Sequence, residues 1–298
     1  MSCWGRWCPQ RRFEAIAVMA EEGLPVQVAT RALGASESGF YAWRTRAPSA
    51  RAIRHVILTD AIGEVHATCR GTYGVRRVHA ELTLGRGLTV WQGTVAMLMQ
   101  RAGLKGIGVR PKWRRPRPDL ISTDLLDRLF RRKGLDQLWV TDITEHHTRE
   151  GKVYCAAVLD VCSRPVVGWS IDSSPTAALV TNALGMAIDS RRPPPGTIIH
   201  SDHAAQFGSW AFTRRAKDSG LVPSKDSIGD CNDNAVIESF WSRMQVELLD
   251  RQSWRTRLEL ANAIFEYLEI FHNRQRRHSA LGWLTPVKFE TRQPITVA

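Results

Sequence analysis

Residues 138–147 read LWVTDITEHH, residues 153–161 read VYCAAVLDV and residues 165–171 read PVVGWSI. Each run is rich in β-branched, aromatic and aliphatic residues and shorter than an ordinary helix, so each predicts a strand. Residues 176–189 then form a helical stretch behind the capping-type sequence Ser173-Ser174-Pro175. TIIHSDH (197–203) reads as a short buried strand, residues 212–218 as a helix and LVPSK (221–225) as another strand, with two longer helices closing the chain. Three strands followed by helix, strand, helix, strand and helix predict an α/β domain with a mixed sheet over residues 135–290.

Three carboxylates stand where such a domain would gather them. Asp142 lies inside the first run, with Trp139 and Val140 before it and Ile143 after. A charge in a buried strand is expensive unless it is paired or bound to metal. Asp202 directly follows the apolar Thr197-Ile198-Ile199, at the end of a strand where open α/β sheets place their ligands. Glu238 lies one turn into a helix capped by Asp233 or Asn234. On that helix Ile237, Phe240, Trp241, Met244 and Leu248 make an apolar stripe, while Glu238, Ser242 and Gln245 fall on another face. Three hard oxygen ligands without histidine or cysteine suit magnesium or manganese rather than zinc. Two such ions about 4 Å apart can activate an attacking hydroxyl and stabilise the leaving oxygen of a phosphoryl displacement. On pattern alone the same residues also read as solvated strand ends and a surface helix position.

Upstream, the chain is helical. Phe13, Ile16, Ala17 and Ala20 recur at helical spacing, and VQVATRALGASESGFYAWR (26–44) reads as helix, glycine turn at Gly34, and a helix capped by Ser36. This is the pattern of a helix-turn-helix DNA reader over residues 1–50. Ile53, Val56, Ile57 and Ile62 predict a further helix, GTYGVRRVHAEL (71–82) starts another, and Thr89 to Ala102 gives a third, so residues 51–104 form a second helical unit. KGIGVRPKWRRPR (105–117) opens a basic linker over residues 105–134, in which Lys112, Arg114, Arg115 and Arg117 are candidate phosphate contacts. Residues 291–298 are a tail.

In bulk, 298 residues with 43% hydrophobic and 23% charged composition describe a folded globular chain, and a formal net charge of +12 favours a polyanionic partner, nucleic acid first. No stretch approaches the roughly 20 apolar residues of a membrane span. The opening MSCWGRWCPQRRF lacks the apolar core of a signal peptide. The six cysteines show no paired CxxC spacing. These features predict free thiols in a reducing cytoplasm.

HSDHAAQF (200–207), GDCNDNAVIESFW (229–241) and FHNRQRRHSALGWLTP (271–286) together resemble the second-reading-frame (OrfB-type) protein of IS-three-family bacterial insertion sequences. WVTDIT (139–144), VLDVCSRPVVGW (158–169), SGFYAWR (38–44) and GTYGVRRVHAEL carry the resemblance through nearly the whole chain. Between Asp202 and Glu238 lie 35 residues (203–237), the spacing of the Asp, Asp, Glu core in that family. The likeness implies a ribonuclease-H-like core of the retroviral-integrase superfamily, with Asp142, Asp202 and Glu238 as the catalytic triad holding two divalent ions, Mg2+ or alternatively Mn2+. It implies that His200, Ser201, Gln206 and Asn234 support the site or contact DNA, whereas His146 and His147 read as surface residues. Departures accompany it: many relatives have Arg, Gly and Ser where this chain has His203, Ala204 and Ala205, and often a lysine where it has Gln245. Glutamine can hydrogen-bond to DNA but brings no charge. Arg274, Arg276 and Arg277 form a basic turn after the last long helix, a candidate contact to DNA ends.

The function so implied is metal-dependent cleavage of double-stranded DNA at element ends, then attack of the freed 3′-hydroxyl on a target. A reaction on two ends predicts a homo-oligomer. The family also implies an upstream-frame (OrfA-type) partner or fusion supplying a coiled coil, since this chain has no leucine heptad run. Two competing functions are a non-catalytic DNA-binding regulator and a nuclease that cuts without joining.

Overall fold

A computed structural model describes residues 9–108, 134–225 and 235–292. The chain falls into two compact units, residues 1–58 and 59–298, with the division inside one helix.

The first unit carries α1 (Pro9–Glu21), α2 (Val26–Ala32) and α3 (Glu37–Thr45). Ile16, Ala29 and Phe40 are fully buried where the three meet. Phe13 and Trp43 stack beside them, with ring centroids 5.8 Å apart. Between α2 and α3 the backbone turns through Gly34 at φ +62°, a conformation costly for a residue with a Cβ. Ser36 then caps α3, its hydroxyl accepting from the Gly39 N–H at 3.1 Å. Helix, glycine turn and capped helix stand as the sequence predicts.

α4 (Ala50–Thr68) crosses the division. The helix expected from Ile53, Val56, Ile57 and Ile62 is present; of these four Ile62 is buried, with Val65 and Cys69 beside it, whereas Ile53, Val56 and Ile57 are exposed. In the second unit, α5 (Val75–Ala80) runs on into a π-helical turn, Glu81–Gly85, and α6 (Gln92–Arg101) follows. Val78, Leu82, Val95 and Leu98 are buried among them.

β1 (Leu138–Thr148) and β2 (Gly151–Asp160) form an antiparallel hairpin, and β3 (Val166–Asp172) pairs antiparallel with β2. α7 (Ala177–Arg191) crosses the sheet; its cap is Thr176, whose hydroxyl accepts from Leu179, rather than the serines before it. β4 (Ile198–Ser201) then lies parallel to β1, α8 (Trp210–Asp218) returns, and β5 (Val222–Lys225) adds parallel to β4. The order β3-β2-β1-β4-β5 places β1 at the centre of a mixed sheet. Trp139, Ala156, Val158, Leu184, Ile199 and Phe212 fill the space between sheet and helices, where a large apolar side chain gains about 1.5–3 kcal/mol on burial. At Gly168 the β3 backbone comes so close to α7 that a Cβ would collide with the Ala183 carbonyl and the Ala187 amide.

α9 (Ala235–Glu247), α10 (Arg257–Glu266) and α11 (Pro286–Arg292) complete the chain, and α10 widens into π-helical turns over Tyr267–Gln275. Leu258, Ala261, Phe265 and Leu268 recur at core-facing spacing in the sequence; Leu268 is buried, whereas Leu258 and Phe265 are 70% and 48% exposed. Leu260, Ile264 and Phe271 complete the buried side with Leu268. Among the described residues no helix is long and apolar enough to cross a membrane.

Candidate metal and DNA site

The sheet itself brings two of the three carboxylates together. Thr141 of β1 pairs in parallel register with Ser201 of β4. The next residue on each chain is Asp142 and Asp202, so the two emerge side by side. β1 continues beyond this point, whereas β4 ends and Asp202 turns, its Oδ1 accepting from the Ala204 N–H at 3.0 Å. Glu238 comes from the first turn of α9 and is exposed.

Asp142 is the most constrained of the three. Its Oδ1 accepts from its neighbour Ile143 N–H at 2.7 Å, and its Oδ2 accepts from the Trp241 indole N–H at 3.0 Å. Trp241 lies three residues after Glu238, so a single helix presents both the carboxylate and the donor that orients the strand aspartate. Burial pushes the Asp142 carboxyl up to about 6, and the nearby charges of Asp202 and Glu238 push in the same direction, against the two donors. The three acids are thus close enough to repel one another. Among the described residues, no three His, Cys, Asp or Glu side chains converge tightly enough to hold a metal ion. The donor chemistry still fits one: carboxylate oxygens that accept from neutral donors, and whose mutual repulsion a cation would relieve.

Trp241 is the site residue that the sequence pattern conceals. In an apolar stripe an indole counts as core, and only the pairing of α9 with β1 reveals what its N–H meets. His200 and Ser201 are buried behind the aspartates, with His200 Nδ1 3.2 Å from the Ser224 hydroxyl. Gln206 donates to the Pro175 carbonyl at 3.0 Å. His147 is exposed, while His146 is half-buried and held below the usual histidine range by that burial.

The expected DNA contacts separate. Lys112, Arg114, Arg115, Arg117 and Asn234, with the candidate cap Asp233, lie outside the described residues. Arg274 is exposed, and Gln245 donates to Asp250. The basic turn read at Arg276 and Arg277 is corrected: these side chains are 3% and 1% exposed. Arg276 makes a two-pronged pair with Glu247, at 2.7 and 2.8 Å, and Arg277 pairs with Glu81. Burial raises the Glu247 carboxyl, but the hydrogen bonds and charge of Arg276, and then the charge of Arg77, outweigh it and hold the carboxyl below its ordinary range. Tyr73 completes the join, donating to the Gln275 carbonyl at 3.0 Å and accepting from the Arg277 N–H at 2.8 Å. These two arginines tie the α4–α6 segment to the sheet domain rather than forming a basic turn on the surface.

Residues 133–231 and 220–286 each match a family described as integrase core domain, and residues 55–113 match one described as HTH-like domain. The chain is 37% identical over 244 residues to the transposase for insertion sequence element IS629 of Shigella sonnei, covering 81% of each chain. It is 33% identical over 273 residues to transposase InsF for insertion sequence IS3A of Escherichia coli strain K12, covering 90% of this chain and 94% of that one. It is 36% identical over 260 residues to the insertion element IS600 uncharacterized 31 kDa protein of Shigella sonnei, covering 86% and 95%. Among solved structures, a chain of the simian T-cell lymphotropic virus intasome in complex with PP2A regulatory subunit B56 gamma superposes with a TM-score of 0.46 at 14% identity, covering 74% of this chain and 76% of that one.

Proposed function

The chain belongs to the IS-three family of insertion-sequence transposases, and from that membership we propose that Asp142, Asp202 and Glu238 are its catalytic carboxylates. It is a DDE-type polynucleotidyl transferase, cutting DNA at insertion-sequence ends and transferring the strand. The observation that carries the residue assignment is the parallel register that sets Asp142 beside Asp202, with Asp142 half-buried, oriented by Trp241 and pressed by the charges of Asp202 and Glu238. Repelling carboxylates on adjoining strands are costly for a fold to keep without a cation to bind.

Integrase cores work with divalent metal, and here the three carboxylates would hold two ions, magnesium or manganese, because the donors are hard oxygens. When bound, such ions supply Lewis acidity at the attacking and leaving oxygens of the phosphoryl transfer. The chain's own part is positioning. Trp241 fixes one oxygen of Asp142, Ala204 fixes one of Asp202, and the first turn of α9 carries Glu238. Arg274 and Gln245, with Lys112, Arg114, Arg115, Arg117 and Asn234, are the proposed DNA contacts. The helical units of residues 1–50 and 51–104 would grip the element ends, the linker 105–134 would follow the backbone, and residues 135–290 would do the chemistry. Work on two ends in the bacterial cytoplasm further implies a homo-oligomer and an upstream-frame partner.

The test is a product analysis with the element's own ends, target DNA and magnesium. Joined strands, lost in chelator and with Asp202→Asn, are the expected result. Cut strands without any joined product would overturn transfer by this chain in favour of a simple nuclease.

A further inference from the structure

The turn between β2 and β3, one face of α9 and the segment after α10 line a half-open cavity of about 180 Å³. Its wall carries Arg77, Arg164, Arg243, Arg276, His278 and Ser239. It is not the carboxylate site. At about 100° per residue, Val236, Ser239, Phe240 and Arg243 lie roughly 100–200° round α9 from Glu238, so the cavity opens on the opposite side of that helix.

Its charge is unbalanced. Four guanidiniums meet one carboxylate, Glu247, which is already saturated by Arg276 and reaches Arg77 only at 3.4 Å. The charge of Asp160 reaches Arg164, but its oxygens are taken by Ser163 and the Asp136 N–H. The guanidiniums of Arg164 and Arg243 have no hydrogen bond or ion pair among the described residues. Burial, and then the like charges of Arg276 and Arg243, lower Arg77. Burial first, then His272 and Arg276, hold His278 well below the usual histidine range, so the two histidines on the wall add no charge at neutral pH. His272 keeps its Nδ1 buried without a partner, open to a water or hydroxyl carried in with a ligand. Half-buried guanidinium forks converging on a small polar cavity match the oxygens of a tetrahedral anion.

We infer that this cavity is a phosphate-group site separate from the carboxylates, filled by a backbone phosphate of bound DNA or by a free phosphate ion. The two sources share one chemistry and differ in consequence. A DNA phosphate here would hold the duplex behind α9 and leave the scissile phosphate to the other face. A free ion would act as a structural anion, offsetting the crowded guanidiniums.

The experiment uses the full chain, with thermal unfolding in inorganic phosphate against chloride at matched ionic strength. The same proteins then bind random-sequence duplex DNA over a range of salt. Arg243→Ala and Arg164→Ala are the variants, and Arg243→Lys keeps the charge without the fork. If the ion is free phosphate, phosphate raises the wild-type melting temperature, each alanine variant weakens that response at least tenfold, and the DNA salt slope is unchanged. If it is a DNA phosphate, the slope of log affinity against log salt falls by about one per arginine removed. Arg243→Ala should melt no lower than wild type in chloride, because it relieves like-charge crowding; this separates a lost site from a damaged fold. A phosphate response that survives both alanine variants, or no phosphate response together with an unchanged DNA slope, overturns the inference. Neither result bears on the carboxylate assignment, since neither arginine faces Glu238.

Discussion

A single carboxyl group concentrates the tension in this fold. Asp142 sits with its carboxyl raised from 3.8 to about 6, first by burial and then by Asp202 and Glu238. Because the folded state binds this proton more tightly than the unfolded chain does, ionising Asp142 weakens the fold as pH climbs from about 4 to 6, and the penalty is complete above that. Asp142→Asn removes the charge and keeps an oxygen for the Trp241 N–H, giving up the bond from the Ile143 N–H. In urea unfolding at pH 7 with chelator present, it should stabilise the protein by about 1–3 kcal/mol while abolishing activity. A variant less stable than wild type would mean that the carboxylate is structural. At this scale the sequence is informative about identity and silent about company. Asp142, Asp202 and Glu238 stand out as candidates from a charge inside an apolar strand, a strand end, a helix start and family spacing. Trp241 is not, because its apolar bulk dominates any pattern and its donor role depends on which strand α9 faces. Arg276 and Arg277 mislead for the converse reason. A cation cluster reads as surface, and their counter-charges stand 29 and 196 residues away, where no local pattern reaches them.

Elements hold the carboxylates by two devices, parallel register between β1 and β4 and the close seating of α7 on the sheet. The second depends on Gly168, where a Cβ would strike the backbone of α7 at Ala183 and Ala187. Backbone cannot swing aside as a side chain does, so Gly168→Ala should cost about 1–3 kcal/mol in denaturant unfolding. Gly63→Ala is the matched control. It lies inside α4 with open space around it and should stabilise by about 0.5–1 kcal/mol. Equal effects at the two glycines would contradict the close packing of α7. Strand and helix order was readable in advance, because alternation and length separate the two periods over residues 138–225. The faces of α4 and α10 were less readable. Ile53, Val56 and Ile57 keep helical spacing yet point outward, and so do Leu258 and Phe265, because spacing shows that apolar residues share a face and not which neighbour covers it.

Across the second unit, burial of titrating groups away from the sheet sets how stability responds to acid. His272 is buried against Arg276, and its imidazole is pushed down to about 4, burial being the larger cause. The unfolded chain takes up this proton from about pH 6.5 downward and the folded chain only near 4, so the contribution of His272 is present above 6.5 and lost as pH falls through that window. The loss amounts to about 3 kcal/mol at most, and His278, lowered in the same direction, adds to it. Unfolding free energies measured from pH 7 to 4.5 should fall in wild type and fall less in His272→Asn; parallel curves would contradict a neutral buried imidazole. The separation of roles across the molecule, with arginine pairs joining the α4–α6 segment to the sheet domain and carboxylates at its strand ends, leaves the triad as the central claim. It is tested most directly by strand rejoining on a branched DNA substrate in manganese, comparing the intact chain with Glu238→Gln, since this reversal of transfer asks little of end recognition. Metal-dependent rejoining by the wild type that vanishes in the variant is the predicted result; equal rejoining by both proteins would contradict the assignment of Glu238 and the triad with it.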